Sequence, residues 1–325
     1  MRRREALGLV AGAAVWPALG HAQGARLKRI GLLIDLTADF PQQKARLAVL
    51  LDGLRKAGWI ADRTVEIKTA FGAIDPHAAR TLAGPLLAFE PDVILAVGGA
   101  ASIVMRDATT SVPVVFALVV DPVAIGLVQS LVRPGGNVTG FSLFEASLAG
   151  KWVEILRQLS PGMTRLGVMI DPASPATASQ LQAITAAVGP IGVLVTGIDL
   201  RQPEGFRAAL TGLGPSAGLI VSSTALGGVH REVIVRLAAE LRIPAVYPYR
   251  HQAEVGGLVS YGPNLVDEYR RAAGYLDRIL RGERASDLPV QAPTRYEFLV
   301  NAKTAAALGL ELPLAVLAAA DEVIG

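Results

Sequence analysis

The 325-residue chain has no cysteine. That excludes a disulfide framework, thiolate metal sites and cysteine nucleophiles. Histidine is nearly as scarce, with four residues. His21, His77, His230 and His251 form no metal-binding or HExxH pattern, and no GxSxG elbow is present. His77 and His230 read as solvated residues at helix starts. Charged residues make up only 18% and aromatic residues 5%, against 51% hydrophobic. So apolar a chain does not stay disordered, and at this length core burial alone can hold it together. Beyond the amino end, no apolar run is long and uninterrupted enough for a membrane-spanning helix.

What is present begins at the amino end. Met1-Arg-Arg-Arg-Glu5 precedes an apolar stretch from Ala6 to Leu19, then Gly20-His21-Ala22 before Gln23. A basic start, a short apolar middle and small residues at a cleavage site are the parts of a secretory signal peptide. Residues 1–22 are therefore expected to be removed and the remainder exported to the periplasm. Arg3-Arg4 with Leu7 partly fits a twin-arginine signal, so both export routes stay open. Without Arg2, Arg3, Arg4 and Glu5, 28 of the 31 basic and 27 of the 28 acidic residues remain, a formal net charge of +1. That balance gives no reason to expect nucleic-acid or membrane-surface binding.

Short apolar runs then alternate with helical patterns. Strands are expected over Lys28 to Ile34, Val65 to Ala70, Val93 to Val97 and Val114 to Val120. Helices are expected over Pro41 to Ala57, Pro76 to Phe89 and Ala100 to Thr109. After Arg133-Pro-Gly-Gly-Asn137 the order restarts, with strands over Arg165 to Ile170, Val193 to Gly197, Leu219 to Val221 and Ala245 to Tyr247. Helices over Leu148 to Leu159, Pro175 to Val188, Glu204 to Leu210 and Val229 to Leu241 belong to this second run. Repeated βαβ order implies parallel sheets with right-handed crossovers. The expected fold class is α/β: two similar Rossmann-like lobes joined by a multi-segment hinge.

Ligands in open α/β sheets sit outside the carboxyl ends of the strands. In the first half those ends carry Gly98-Gly99-Ala100-Ala101-Ser102 and Val119 to Asp121. In the second they carry Asp171 to Ser174, Ser222-Ser223-Thr224 and Tyr247-Pro248-Tyr249. The backbone N–H groups at Gly99 and Ala100 open a helix and would favour an anion, but the loop matches no dinucleotide or P-loop fingerprint. Asp121-Pro122 and Asp171-Pro172 read equally as helix caps and as pocket rims. Tyr247 and Tyr249 each offer a flat face and a hydroxyl, suited to pocket walls or to lobe packing. Tyr261 reads as hinge or pocket floor. The ligand-binding candidates are thus Gly99, Ala100, Ser102, Val119, Asp121, Asp171, Ser174, Ser222, Ser223, Tyr247, Tyr249 and Tyr261. Trp59 reads as core cover, Trp152 as core packing or lobe contact, and the basic run Arg278 to Arg284 as a solvated helix end.

One set of segments runs through Asp92 to Ala96, Pro113 to Phe116 with Asp121-Pro122, Arg133 to Phe141, Lys151-Trp152 and His230 to Glu232. Pro244 to Pro248, Gly256 to Gly262, Asp287 to Gln291 and Asn301 to Thr304 complete it. Together these segments resemble the ABC transporter substrate-binding family with the type I periplasmic-binding fold, in a branch loosely labelled tryptophan/tyrosine-type. The resemblance implies a monomeric receptor without cofactor or catalytic residues, working with an ABC permease of the inner membrane. It implies a ligand clamped between lobes, with the chain crossing near 137–142, 257–261 and 285–293. Residues 23–140 and 258–290 would then form lobe 1, and 141–257 with 291–325 lobe 2. The bulky aromatic residue usual in amino-acid receptors is not evident at Ala173 or Ser223, so amino acids, aromatic acids and other small carboxylates all stay open.

Three other readings compete. An exported enzyme would use Asp121 and Asp171 as an acid/base pair, but its signature motifs are missing. A sugar-responsive repressor would need a DNA-binding domain where the leader stands. A receptor for a sensor kinase or chemoreceptor has the same sequence requirements as a transport receptor.

Overall fold

The structure is a computed structural model that describes residues 26–143 and 146–325. The expected leader, residues 1–22, lies outside the described residues. In chain order the first half forms β1 (Lys28–Ile34), α1 (Gln43–Lys56), β2 (Val65–Phe71), α2 (Pro76–Leu87), β3 (Val93–Val97), α3 (Gly99–Ala108), β4 (Val114–Val119) and β5 (Val138–Ser142). Next come α4 (Ala146–Leu159), β6 (Arg165–Ile170), α5 (Pro175–Val188), β7 (Leu194–Asp199), α6 (Phe206–Gly212), β8 (Ala217–Val221), α7 (Ala225–Val229) and α8 (Arg231–Glu240). The remainder is β9 (Ala245–Tyr247), α9 (Arg250–Glu254), β10 (Val259–Pro263), α10 (Leu265–Leu280), β11 (Tyr296–Asn301), α11 (Ala302–Leu308), α12 (Leu314–Ala319) and β12 (Glu322–Ile324).

These elements build two sheets. The first has the order β2-β1-β3-β4-β5, and the second β12-β11-β10-β9-β8-β6-β7. Strands β10 and β11 pair antiparallel, and the other ladders are parallel. The expected two-lobed α/β fold is therefore observed. Strand β3 reads VILAV and every residue is buried, as a central parallel strand covered on both faces requires. Helix α2 starts where Asp75 accepts the N–H groups of His77 and Ala78 at 2.7 and 3.0 Å, with Pro76 in its first turn.

Each sheet lies between two apolar layers. On the first, one layer joins Leu32, Leu95 and Val115 to Leu50 of α1 and to Tyr269 and Leu276 of α10. The other joins Leu33, Ile94 and Phe116 to α2 and α3 through Leu86 and Met105. On the second sheet, α4 and α5 cover one face through Trp152, Leu156 and Ile184, and α6 and α8 the other through Phe206, Leu210 and Ile234. Trp152 is fully buried, and half-buried Trp59 donates its ring N–H to Asp277 at 2.8 Å while covering the α10 layer. Both follow the expectation. Arg278, Arg281 and Arg284 pair with Glu283, Asp277 and Asp287, so the basic run is a locally neutralised helix end.

The chain passes between lobes in three places, and two differ from expectation. Residues 137–142 do not cross; they hold β5, the edge of the first sheet. Residues 257–261 do not cross either. Val259–Pro263 pairs with β9 and β11, so the boundary placed at 258 moves past Pro263. The chain enters the second lobe after Ser142, returns between β10 and α10, and leaves again after Gln291, which bridges to Phe141 beside β5. The family resemblance placed crossings near these segments, and the structure gives both to strands. Tight contact is what the glycines serve: a Cβ on Gly140 would collide with the backbone of Phe116.

Candidate functional site

Between the carboxyl ends of the two sheets lies a cavity of about 260 Å³, just below the roughly 300–1,000 Å³ usual for small-molecule pockets. It suits one small metabolite. Both lobes contribute walls, and the two walls differ in chemistry.

The first lobe supplies charge. Asp35 follows β1 directly, is 7% exposed, and accepts the Leu36 N–H at 2.9 Å. Burial lifts its carboxyl to about 6, against the pull of Arg46 and that N–H. Its space is made by Gly98, where a Cβ would stand 2.8 Å from the carboxylate and where φ is +87°. Arg46 lies one turn before Leu50 on the buried stripe of α1 and is 3% exposed. Among the described residues its guanidinium makes no hydrogen bond or ion pair, and its one aromatic partner is Phe40, 5.8 Å from the ring centroid. Leu118, Val120 and Ile125 add apolar surface.

The second lobe supplies hydroxyls and rings. Gln180 of α5 accepts the Ser223 N–H at 2.9 Å and so fixes the loop after β8; among the described residues the buried Ser223 Oγ has no hydrogen-bond partner. Gln252 accepts the Tyr249 N–H at 3.2 Å and donates to the Gly227 carbonyl at 3.1 Å. Tyr249 stacks on His251 with centroids 5.6 Å apart. Burial, with Arg46 and Arg231 nearby, pushes the His251 imidazole down to about 3, so it is neutral, and among the described residues its Nε2 has no hydrogen-bond partner. At the rim, Asp171 accepts from Arg201 Nε at 2.7 Å and from the Ala173 N–H at 3.1 Å. Phe40 joins the walls: its ring meets His251 edge-on at 5.8 Å and lies under the Arg231 guanidinium at 5.1 Å.

Of the residues expected at the site, Gly99, Ala100, Asp171, Ser174, Ser223 and Tyr249 line this cavity. The others do not. Tyr247 faces the α6/α8 layer, because β9 ends there and only the turn at Pro248 brings Tyr249 to the cleft. Val119 packs in the first lobe's core, while Leu118 and Val120 take the lining places. Ser102 donates to the Gly98 carbonyl at 2.7 Å inside α3. Ser222 is fully buried behind Ser223. Asp121 accepts the Ala124 N–H at 3.0 Å as a turn cap. Tyr261 stacks on Tyr296, and its carbonyl accepts the Trp152 ring N–H at 2.6 Å.

Sequence reasoning missed Asp35, Phe40, Arg46 and His251. Asp35 had the signal that marked Asp121 and Asp171, a carboxylate directly after a buried strand. Arg46 shares a helical stripe with Gln43, Leu50 and Leu54, a spacing that places it inward.

The family profile described as "ABC transporter substrate binding protein" matches residues 39–324. A Tyrosine-binding protein of Clostridioides difficile is 25% identical over 293 residues, 87% of this chain and 81% of that one. Among solved structures, a Streptococcus pneumonia ABC domain in complex with L-Trp superposes with a TM-score of 0.84 at 24% identity, over 92% of this chain and all of that one. The ligand-free, open form of a Clostridium difficile substrate binding protein with adhesive properties superposes at 0.69 and 25% identity, over 89% and 97%.

Proposed function

Because the chain belongs to the ABC transporter substrate binding protein family, we propose that it captures one zwitterionic amino acid with an aromatic side chain and presents it to an importer. One observation carries the reading. A buried guanidinium, Arg46, and a buried carboxyl, Asp35, line the same cavity and form no ion pair with each other. Charges left apart in this way call for a ligand that brings both complements, since an unpaired buried charge is costly. Arg46 would take the carboxylate in the forked geometry guanidinium favours, and Asp35 the ammonium. Ser223 Oγ and His251 Nε2 stand ready for the remaining polar atoms. Leu118, Val120 and Tyr249 offer the ring an apolar slot. The names of the tyrosine-binding relative and the L-Trp complex support this ligand class.

Capture would proceed by hinge closure. A ligand touching both walls stabilises the closed arrangement by its differential contacts. Phe40, already seated against His251 and Arg231, closes the cleft behind it. Export through the amino-terminal leader would place this event outside the cytoplasm, where the closed receptor meets a permease.

Calorimetric titration of residues 23–325 with L-tryptophan, L-tyrosine, L-leucine and indole-3-acetate tests the reading. The two aromatic amino acids should bind one-to-one, leucine weakly, and the acid lacking an ammonium weakly. Equal affinity for indole-3-acetate removes the role given to Asp35, and no heat with any of the four refutes the ligand class. At 100 times its dissociation constant a ligand adds about 2.7 kcal/mol of stability, so a rise of several degrees in Tm should accompany binding.

A further inference from the structure

The floor of the cavity rests on a backbone conformation that leucine rarely takes. Leu118 has a φ of +54°, in the left-handed region where a Cβ is crowded. Between the pairs Phe116–Gly140 and Val119–Ser142, β4 carries two residues where β5 carries one. That is a β-bulge, and it takes the Leu118 N–H out of the ladder. The displaced N–H is donated to Glu268 Oε2 at 3.1 Å.

Glu268 stands in the first turn of α10, just after the chain returns from β10. It is 1% exposed, and among the described residues its Oε1 has no hydrogen-bond partner. Burial raises its carboxyl to about 8, against the pull of the Leu118 N–H, Arg271 and Arg46, with Asp267 pushing the same way as burial. An apolar side chain would fill the same space without burying a polar group. What the carboxyl adds is an acceptor for a displaced amide. Leu118 itself lines the cavity and packs against the cores of both lobes. Asn264, which caps α10 by accepting the Asp267 N–H at 2.8 Å, also donates to Glu297 at 2.8 Å beside the third crossing.

We propose that Glu268 is a positioning residue for ligand capture: by accepting the Leu118 N–H it fixes the bulge that turns Leu118 and Val120 into the cavity, and from α10 it ties that floor to the hinge. The inference rests on the reading of this cavity as the ligand site. Regular alternation along β4 would send Leu118 with Val114 and Phe116 toward α2 and α3, and Val119 with Val115 and Ala117 toward α10; instead Val119 packs with Val114 and Phe116, and Leu118 packs on the α10 side. The extra residue shifts that alternation at the strand's end, so the floor exists only while the bulge does.

The test uses residues 23–325 with L-tryptophan and L-tyrosine as probes and the exchange rate of the Leu118 amide as a readout that needs no ligand. Glu268→Ala should speed Leu118 exchange at least 100-fold and weaken binding at least tenfold. Glu268→Gln keeps a carbonyl oxygen for the amide and should hold both within about threefold of the parent. In a Leu118→Gly background, where the residue reaches positive φ unaided, Glu268→Ala should change affinity less than twofold. Parental exchange and affinity in Glu268→Ala overturn the proposal. So does equal damage from Gln and Ala, or an undiminished effect in the glycine background. A parent that binds neither probe refutes the ligand reading instead, and the exchange rates then decide whether Glu268 holds the bulge.

Discussion

The two walls of the cleft are made of different chemistry. The first lobe presents a buried guanidinium and a buried carboxyl, with a second carboxyl, Glu268, behind its floor. Apart from the Asp171–Arg201 ion pair at its rim, the second lobe presents neutral groups, namely Ser223, Tyr249 and an uncharged His251. The difference teaches an order of events. On the proposed reading, long-range attraction for a zwitterion would belong to the first wall, and short-range hydrogen bonding and ring contact to the second. A ligand held first by its charges and then covered by neutral groups would give closure something to gain without a second desolvated charge.

The largest effect expected separates the two tyrosines of the second lobe. Tyr247→Ala should lower stability by about 3–5 kcal/mol, as for other large buried aromatics, because Tyr247 is 1% exposed in the core. Its dissociation constant at a temperature where it stays folded should match the parent. Thermal melts paired with calorimetry check this, and a binding loss without destabilisation would return Tyr247 to the site. Next comes the charged wall. Arg46→Met should cost about 2–5 kcal/mol of binding, as loss of a buried charge partner does, which is roughly thirtyfold or more. Equal binding by this variant would erase the distinction between the walls.

The walls should also respond to pH with opposite signs. Glu268 and Asp35 have raised carboxyls, about 8 and about 6 against ordinary values of 4.5 and 3.8. Their contribution is full below about 4 and is lost as pH rises through 6 and 8. His251 has a depressed imidazole, about 3 against 6.5. Its contribution is present above 6.5 and is lost as pH falls toward 3. Between pH 6.5 and 8 the melting temperature should therefore fall, and Glu268→Gln should flatten that fall. Superimposable melting profiles would mean that Glu268 is ionised in the fold. The smallest effect lies on the neutral wall, where Ser223→Ala should weaken binding by about 0.5–1.5 kcal/mol, the worth of a neutral hydrogen bond. A loss as large as that of Arg46→Met would contradict the order of events above.

Local patterning alone carried much of the architecture. Lys28–Ile34, Val93–Val97, Arg165–Ile170, Pro175–Val188 and Ala245–Tyr247 run as their periodicity and punctuation imply. Such elements are legible because alternation, helical stripes and caps act over neighbouring residues. The strand-end loops were legible too, which is why Gly99, Asp171, Ser174 and Ser223 meet in one cavity. The antiparallel β10–β11 pair and the edge strand β5 were not, because pairing partners are chosen by packing between segments far apart in the chain.

The sequence by itself determined two βαβ runs, the edge at which a ligand would sit, and the absence of thiol or HExxH-type chemistry. Only the tertiary structure decided which side chains line the cavity. A one-residue bulge in β4 exchanged Val119 for Leu118 and Val120, the end of β9 at Pro248 separated Tyr247 from Tyr249, and packing drew Asp35, Arg46 and His251 together across more than 200 positions. A strand's alternation is local, but where it breaks, and which distant charge fills the space that results, depends on contacts formed only when both lobes are folded.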